Sequence, residues 1–159
     1  MAATEAQIEA IRRYVGGRHV AINGDCRGDS DGDPRTFRDV HLLDTALEKS
    51  PLAQDEVVFR GISRAYAKEL ERRGLSVGDR LVDKAFLSTS RSKAVARGFL
   101  GYETEGLLMR IRLPGGRNAL DLSPYSPLPE EQEYLLPRET VLRVTGYDVD
   151  EDILDLEVE

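Results

Sequence analysis

The spacing of apolar residues changes character about one third of the way along the chain. Before Pro51, apolar residues recur every three or four positions, as at Ile8, Ile11 and Val15, which predicts amphipathic helices. After Pro51 the apolar residues form short alternating runs such as Leu107–Leu113, which predict strands. The sequence therefore predicts an α+β chain in which helices come first and mostly antiparallel strands follow.

Local signals set the expected boundaries of the helical part. Thr4 and Gln7 have the spacing of a capping box, which predicts the start of the first helix, and the two glycines at 16–17 predict its end. A short second helical segment is expected over 18–27 and an amphipathic helix over 36–49. We expect the buried side of that third helix to carry Phe37, Val40, Leu43, Ala46 and Leu47.

The remainder of the chain predicts strands separated by two short helices and by turns rich in Pro and Gly. The predicted strands are 56–60, 83–89, 107–113, 118–122, 133–136, 140–147 and 153–158. The predicted helices of this part are 63–73 and 92–100, and 123–130 is predicted to be a Pro-rich loop.

Composition narrows the class of protein. The 159 residues suit one domain spanning 1–159, and the net charge of −7 argues against a surface that binds nucleic acid or anionic membranes. A signal-peptide pattern and a long apolar run are both missing from the sequence. The single cysteine fits a reducing compartment, and two scattered histidines argue against a metal site.

Glu131 and Glu133 are the most informative pair of residues. Two carboxylates two residues apart at the start of a strand are predicted to point to the same face. Like charges held that close are electrostatically unfavourable, unless a cation or a developing positive charge comes between them. Taken alone, the pair also fits ordinary surface charges on an edge strand.

Two upstream segments strengthen the interpretation of Glu131 and Glu133 as site residues. Arg60 closes a predicted strand and offers a rigid fork for phosphate oxygens, while Gly61 lets a ligand approach the backbone. Ser88-Thr89-Ser90 ends another predicted strand, where hydroxyl groups hydrogen-bond a carboxylate or a ribose. Each segment alone is common turn material, but their occurrence in this order at strand ends is far less easily reached by chance.

The segments VVFRG, FLSTS and EEQEYLLPR together resemble the arginine-serine-glutamate class of mono-ADP-ribosyltransferases. That class includes clostridial actin-modifying and Rho-modifying exoenzymes and arginine-specific ADP-ribosyltransferases, and the resemblance covers nearly the whole chain. It implies the ADP-ribosyltransferase fold, with N-terminal helices followed by two packed, mostly antiparallel sheets around an NAD cleft. It also implies NAD as a substrate, nicotinamide as the leaving group and no metal.

The resemblance further implies a role for each site residue. Glu133 would stabilise the ribose cation, and Glu131 would meet an acceptor that is most readily arginine, because relatives with Gln at that position tend to modify asparagine. Ser88 would orient Glu133. The expected NAD contacts are the phosphates for Arg60 and Arg27, the nicotinamide amide for the Gly61 backbone, the ribose side for Thr89 and a stacking contact for Phe99.

Three interpretations of function stay open at this point. The first is a monomeric bacterial toxin or effector that modifies a protein, is secreted or delivered by other machinery to act in the target-cell cytoplasm, and is neutralised by an immunity protein in its producer. The second keeps the fold but uses water, as an NAD glycohydrolase, or a nucleic-acid base. The third, a catalytically silent binding module, predicts a broken motif, whereas all the motif residues are present.

Overall fold

The computed structural model describes residues 2–98 and 106–159. Three helices open the chain: α1 (Glu5–Arg13), α2 (His19–Cys26) and α3 (Pro34–Glu48), with a π-helical turn at Tyr14–Arg18 between the first two. Two more follow later, α4 (Arg64–Arg73) and α5 (Lys93–Gly98). None of the described helices is long and apolar enough to cross a membrane.

The predicted start of α1 is confirmed by its hydrogen bonds. The Gln7 backbone N–H donates to Thr4 Oγ1 at 3.2 Å, and the Thr4 N–H donates to Gln7 Oε1 at 2.9 Å, which completes a capping box. The first helix ends at Arg13, three residues before the predicted glycine pair, and Gly17, with φ of 121°, turns the chain between α1 and α2. That turn sets where Tyr14 faces.

The buried side of α3 differs from the prediction at its first turn. Val40, Leu43, Ala46 and Leu47 are buried as expected, but Phe37 is 74% exposed. Polar residues take its place in the buried stripe: Thr36 accepts a hydrogen bond from Arg18, and Asp39 pairs with Arg13. The stripe therefore begins at Thr36 rather than at Phe37, because these hydrogen bonds satisfy the buried polar groups.

The strands form one hydrogen-bonded sheet with the order β2-β7-β8-β4-β1-β3-β6-β5. Their bounds are β1 Glu56–Ile62, β2 Arg80–Val82, β3 Leu87–Ser90, β4 Leu107–Leu113, β5 Leu120–Asp121, β6 Glu133–Leu136, β7 Val141–Asp148 and β8 Ile153–Val158. Among the described strands, β4 and β8 pair in parallel and the other neighbours are antiparallel. The α+β prediction is thus confirmed.

The sheet has two parts that meet at a narrow junction. Among the described residues, the only backbone pairing in the register of β1 and β3 is Phe59 with Ser90, whereas β1 and β4 pair along seven residues from Glu56 to Ile62. The two sheets expected from the resemblance thus correspond to the two sides of this junction. Strands β1, β3 and β6 converge there.

One predicted strand was placed wrongly. The segment 83–89 is not a single strand, since β2 ends at Val82 and β3 begins at Leu87. Asp83 makes the interruption: its Oδ1 accepts the Ala85 N–H at 2.9 Å and also accepts from Arg27. A turn of this kind breaks the ladder before the Ser-Thr-Ser motif.

Among the described residues, two large buried clusters and a small third one around Leu108 divide the interior. The larger one lies against the long part of the sheet and includes Val58, Ile111 and Leu156. The second joins the N-terminal helices to the short part of the sheet, through Leu43 and Leu135 among others. This second cluster fixes α1 and α2 beside the ends of β3 and β6.

We predict that the second cluster is a main determinant of stability. Leu43 is fully buried, so Leu43→Ala is expected to lower the free energy of unfolding by about 2–5 kcal/mol. Phe37→Ala on the same helix is the matched control and is expected to change it by less than about 0.5 kcal/mol. Denaturant unfolding of both variants measures the difference, and equal effects would contradict the assignment of the core.

Candidate active site

A cavity of about 430 Å³ opens between the N-terminal helices and strands β1, β3 and β6. Six of the predicted site residues line it together: Arg60, Gly61, Ser88, Thr89, Glu131 and Glu133. Tyr14, Val15, His19, Phe59, Ser126, Pro127 and Leu128 complete its wall. Residues from three separate motifs therefore meet in one place.

The backbone conformation that places the two glutamates at this cavity differs from the one predicted from the sequence. Glu133 begins β6, but Glu131 belongs to a 3₁₀ turn at Pro129–Glu131, so strand alternation does not place both carboxylates. Gln132 lies between them with φ of 48°, in the left-handed region. This turn, rather than the pleat of a strand, brings both carboxylates to the same cavity.

The environment of Glu133 opposes its ionisation. Burial is the largest cause that raises the pKa of Glu133, the negative charge of Glu131 raises it further, and hydrogen bonding by Ser88 lowers it. A carboxylate held in this way gains stability from any positive charge that enters the cavity. Its raised pKa is a common property of groups that take part in catalysis.

Arg60 is a partly buried cation without a carboxylate partner in the described part of the chain. Its Nη1 donates to the Ser88 carbonyl at 2.8 Å, and burial is the largest cause that lowers the pKa of its guanidinium. A neutral carbonyl fixes the side chain, and the nearby Asp83 carboxylate raises the pKa of the guanidinium without forming an ion pair with it. The remaining N–H groups are suited to an anion such as a phosphate.

The three hydroxyl side chains of the Ser-Thr-Ser motif have three different partners. The Ser88 hydroxyl lies 3.2 Å from Tyr14 Oη and lowers the pKa of Glu133, and Thr89 Oγ1 donates to the Tyr134 carbonyl at 2.8 Å. Ser90 Oγ donates to the Glu131 carbonyl at 2.6 Å. Ser90 thus holds the backbone of Glu131, Ser88 acts on the pKa of Glu133, and the Thr89 hydroxyl is occupied by the backbone.

Sequence reasoning missed Ser90 as a site residue, although a signal for it exists. Residues i and i+2 of a strand share a face, so a motif that places Ser88 at the cavity also places Ser90 on the same side. Ser90 is 1% exposed, and its hydroxyl also accepts the Ser92 N–H at 2.9 Å. It anchors the turn that carries Glu131.

Tyr14 and Asn23 were also missed as site residues. Tyr14 is 2% exposed and its Oη lies 3.2 Å from Ser88 Oγ. Asn23 Nδ2 donates to the same Oη at 3.0 Å. Tyr14 lies in the π-helical turn after α1 and outside the predicted apolar stripe of Ile8, Ile11 and Val15, so the sequence pattern carried no signal for its polar contact.

Arg27 lies outside this cavity. Its guanidinium forms two hydrogen bonds with the Asp83 carboxylate, at 3.1 and 2.9 Å. Both residues line a neighbouring cavity of about 480 Å³, which Arg60 and Gly61 also border. The predicted phosphate contact of Arg27 stays a prediction, and it requires a phosphate that extends into this second cavity.

The predicted stacking contact of Phe99 stays a prediction, because Phe99 lies outside the described residues.

The Pro-rich loop forms part of the cavity wall. Its residues Ser126, Pro127 and Leu128 line the cavity, while Tyr125 packs against the helical core. Within residues 2–98 and 106–159, no group of three or more His, Cys, Asp or Glu side chains is arranged to hold a metal ion.

Comparisons with known proteins agree with this geometry. A family model described as ADP-ribosyltransferase exoenzyme matches residues 1–158. Exoenzyme T from Pseudomonas aeruginosa is 32% identical over 142 residues, which cover 89% of this chain and 29% of that protein. The chain thus spans less than a third of the length of this relative.

Solved structures share the fold at low sequence identity. An ADP-ribosyltransferase from Clostridium botulinum, in its triclinic crystal form, has a TM-score of 0.80 at 18% identity, over 98% of this chain and 87% of that chain. Exoenzyme S from Pseudomonas aeruginosa, solved in complex with human 14-3-3 protein beta and bound to Carba-NAD, has a TM-score of 0.76 at 24% identity. That match covers 98% of this chain and 74% of the other.

The family model extends over nearly the whole chain, and the motifs predicted from the sequence converge on one cavity. This chain belongs to the ADP-ribosyltransferase exoenzyme family.

Proposed function

We propose that this chain is an NAD-dependent mono-ADP-ribosyltransferase that transfers ADP-ribose to an arginine side chain of a protein. The observation that carries the proposal is the presence of Arg60 and Glu133 in one cavity without an ion pair between them. A buried cation and a carboxylate whose ionisation is disfavoured, held in one cavity without pairing to each other, suit a substrate that has a negative and a positive part. NAD has both, in its pyrophosphate and its nicotinamide ribose.

The chemistry follows from these charges. Arg60 binds the pyrophosphate of NAD with its free N–H groups. The bond between ribose C1′ and the nicotinamide nitrogen breaks, the bonding electrons leave with neutral nicotinamide, and positive charge develops at C1′. The Glu133 carboxylate stabilises that charge, as a carboxylate does in glycoside hydrolysis.

Glu131 is assigned to the acceptor. Its carbonyl is fixed by Ser90, while its carboxylate lines the same cavity as Glu133. A carboxylate pairs bidentately with a guanidinium, so it orients the arginine and accepts the proton released when the guanidine nitrogen bonds to C1′. The target of this family member is accordingly proposed to be a protein, at arginine.

We predict that Glu133→Gln abolishes NAD cleavage as well as transfer. The amide keeps the shape of the side chain but lacks the charge that stabilises the ribose cation, so kcat is expected to fall by about 10²–10³. Release of nicotinamide from labelled NAD measures the loss. Glu130→Gln, an exposed neighbour in the same turn that does not line the cavity, is the control and is expected to retain full activity.

We predict that Glu131→Gln separates the two half-reactions. NAD cleavage should persist while transfer to a peptide arginine falls by about tenfold or more, because the acceptor loses its carboxylate partner. The substitution also removes a charge that raises the pKa of Glu133. Glu133 works as the ionised form, so the acidic limb of the NAD-cleavage profile should move to lower pH.

The outcomes for Glu131→Gln are diagnostic. A Glu131→Gln variant that retains transfer but loses NAD cleavage would reverse the roles given to the two carboxylates.

Mass spectrometry of lysate proteins treated with the wild-type chain and NAD is expected to locate ADP-ribose on arginine. A modification that disappears on nuclease treatment, or NAD cleavage that leaves no modified protein, would instead support a nucleic-acid acceptor or a glycohydrolase.

A further inference from the structure

A row of three polar side chains runs from the interior to the cavity. Asn23 on α2 contacts Tyr14 at 3.0 Å, and Tyr14 contacts Ser88 at 3.2 Å. The Tyr14 ring lies 5.9 Å from the His19 ring and 6.3 Å from the Phe86 ring, the latter at an interplanar angle of 83°. Ser88 and Glu133 line the same cavity, and the Ser88 hydroxyl lowers the pKa of the Glu133 carboxyl.

The Asn23 amide determines which group donates and which accepts in each hydrogen bond of the row. Asn23 Nδ2 only donates, so it occupies an acceptor position on Tyr14 Oη. The Tyr14 proton is then available for Ser88 Oγ, and the Ser88 proton is left for the Glu133 carboxylate. Burial raises the pKa of the Tyr14 hydroxyl, so that proton is retained at neutral pH.

An unsatisfied atom accompanies this arrangement. Asn23 Oδ1 is buried and has no hydrogen-bond partner in the described part of the chain. Rotating the amide would give Oδ1 the Tyr14 proton, but Ser88 would then have to donate to Tyr14 and could not donate to Glu133. The amide orientation therefore decides whether Glu133 receives the Ser88 proton, and an unpaired buried oxygen is retained along with it.

The geometry points to Tyr14 and Asn23 as positioning residues that aim the Ser88 hydroxyl at Glu133. This role rests on the proposed function of Glu133. Neither residue needs to touch the substrate, and Asn23 does not line the cavity. The π-helical turn with Gly17 is what allows two residues on successive helical segments to face the same point.

Two substitutions at Asn23 test the direction of the row. Asn23→Asp is nearly isosteric but only accepts, so it takes the Tyr14 proton, and Ser88 then donates to Tyr14 instead of Glu133. Its kcat is expected to fall by about 10- to 100-fold, the effect of one hydrogen bond to a charged group. Asn23→Leu cannot take that proton and is expected to lose only about threefold, on the scale of a neutral hydrogen bond.

The order of these losses separates the proposal from a purely structural role. If Asn23 only filled space, the isosteric Asp would be tolerated better than Leu. The thermal midpoint of each variant shows whether it is folded at the assay temperature. An Asn23→Leu variant that is folded and less active than a folded Asn23→Asp variant would overturn the proposal.

A double-mutant cycle gives a second test that avoids a buried charge. Tyr14→Phe keeps the ring against Phe86 and is expected to lower kcat by about threefold. In a Ser88→Ala background, Tyr14→Phe should have no further effect, because Tyr14 acts through Ser88. Multiplicative losses in the double variant would overturn the proposal.

Failure of this inference is distinguishable from failure of the proposed function. Full NAD cleavage by Glu133→Gln would remove the function that both rest on. Loss of activity in Glu133→Gln, combined with multiplicative losses in the Tyr14 and Ser88 cycle, would leave the function intact and remove only the positioning role.

Discussion

The site depends on keeping two opposite charges apart within one cavity. Arg60 and Glu133 both line the space between the N-terminal helices and the junction of the sheet, yet they form no ion pair with each other. Each charge is disfavoured by burial, and direct pairing would relieve both. Because the protein does not allow that pairing, both groups stay available to a ligand with complementary charges.

Ser88 lies on β3, the strand between those that carry Arg60 and Glu133. Its backbone carbonyl holds the Arg60 guanidinium at 2.8 Å, and its side chain interacts with Glu133. One residue of β3 thus orients the cation through its main chain and lowers the pKa of the carboxyl through its side chain. The narrow junction between β1 and β3 is what places this strand between the two charged groups.

Much of the fold was predictable because its signals are local. The limits of β4, β6 and β8 agree with the predicted strands 107–113, 133–136 and 153–158, since alternation and adjacent turn residues mark both ends. The position of Phe37 was not predictable, because Thr36 and Asp39 are buried through partners on other segments. Asp83 interrupts a predicted strand for the same reason, since its hydrogen bonds to Arg27 and Ala85 depend on the tertiary fold.

The site shows the same division between local and long-range signals. The motifs identified six residues that meet in the cavity, but not how they meet. The left-handed Gln132, the Ser90 anchor and the contact between Tyr14 and Ser88 all depend on packing between distant segments. Arg27 lies at the adjoining cavity because its charge is paired with Asp83.

A crystal structure of the chain with a non-cleavable NAD analogue tests the central claim most directly. The account predicts that the pyrophosphate lies within hydrogen-bond distance of the Arg60 guanidinium and that the nicotinamide ribose lies against the Glu133 carboxylate. An analogue bound outside this cavity, or bound in it with Arg60 and Glu133 paired to each other, would contradict the account.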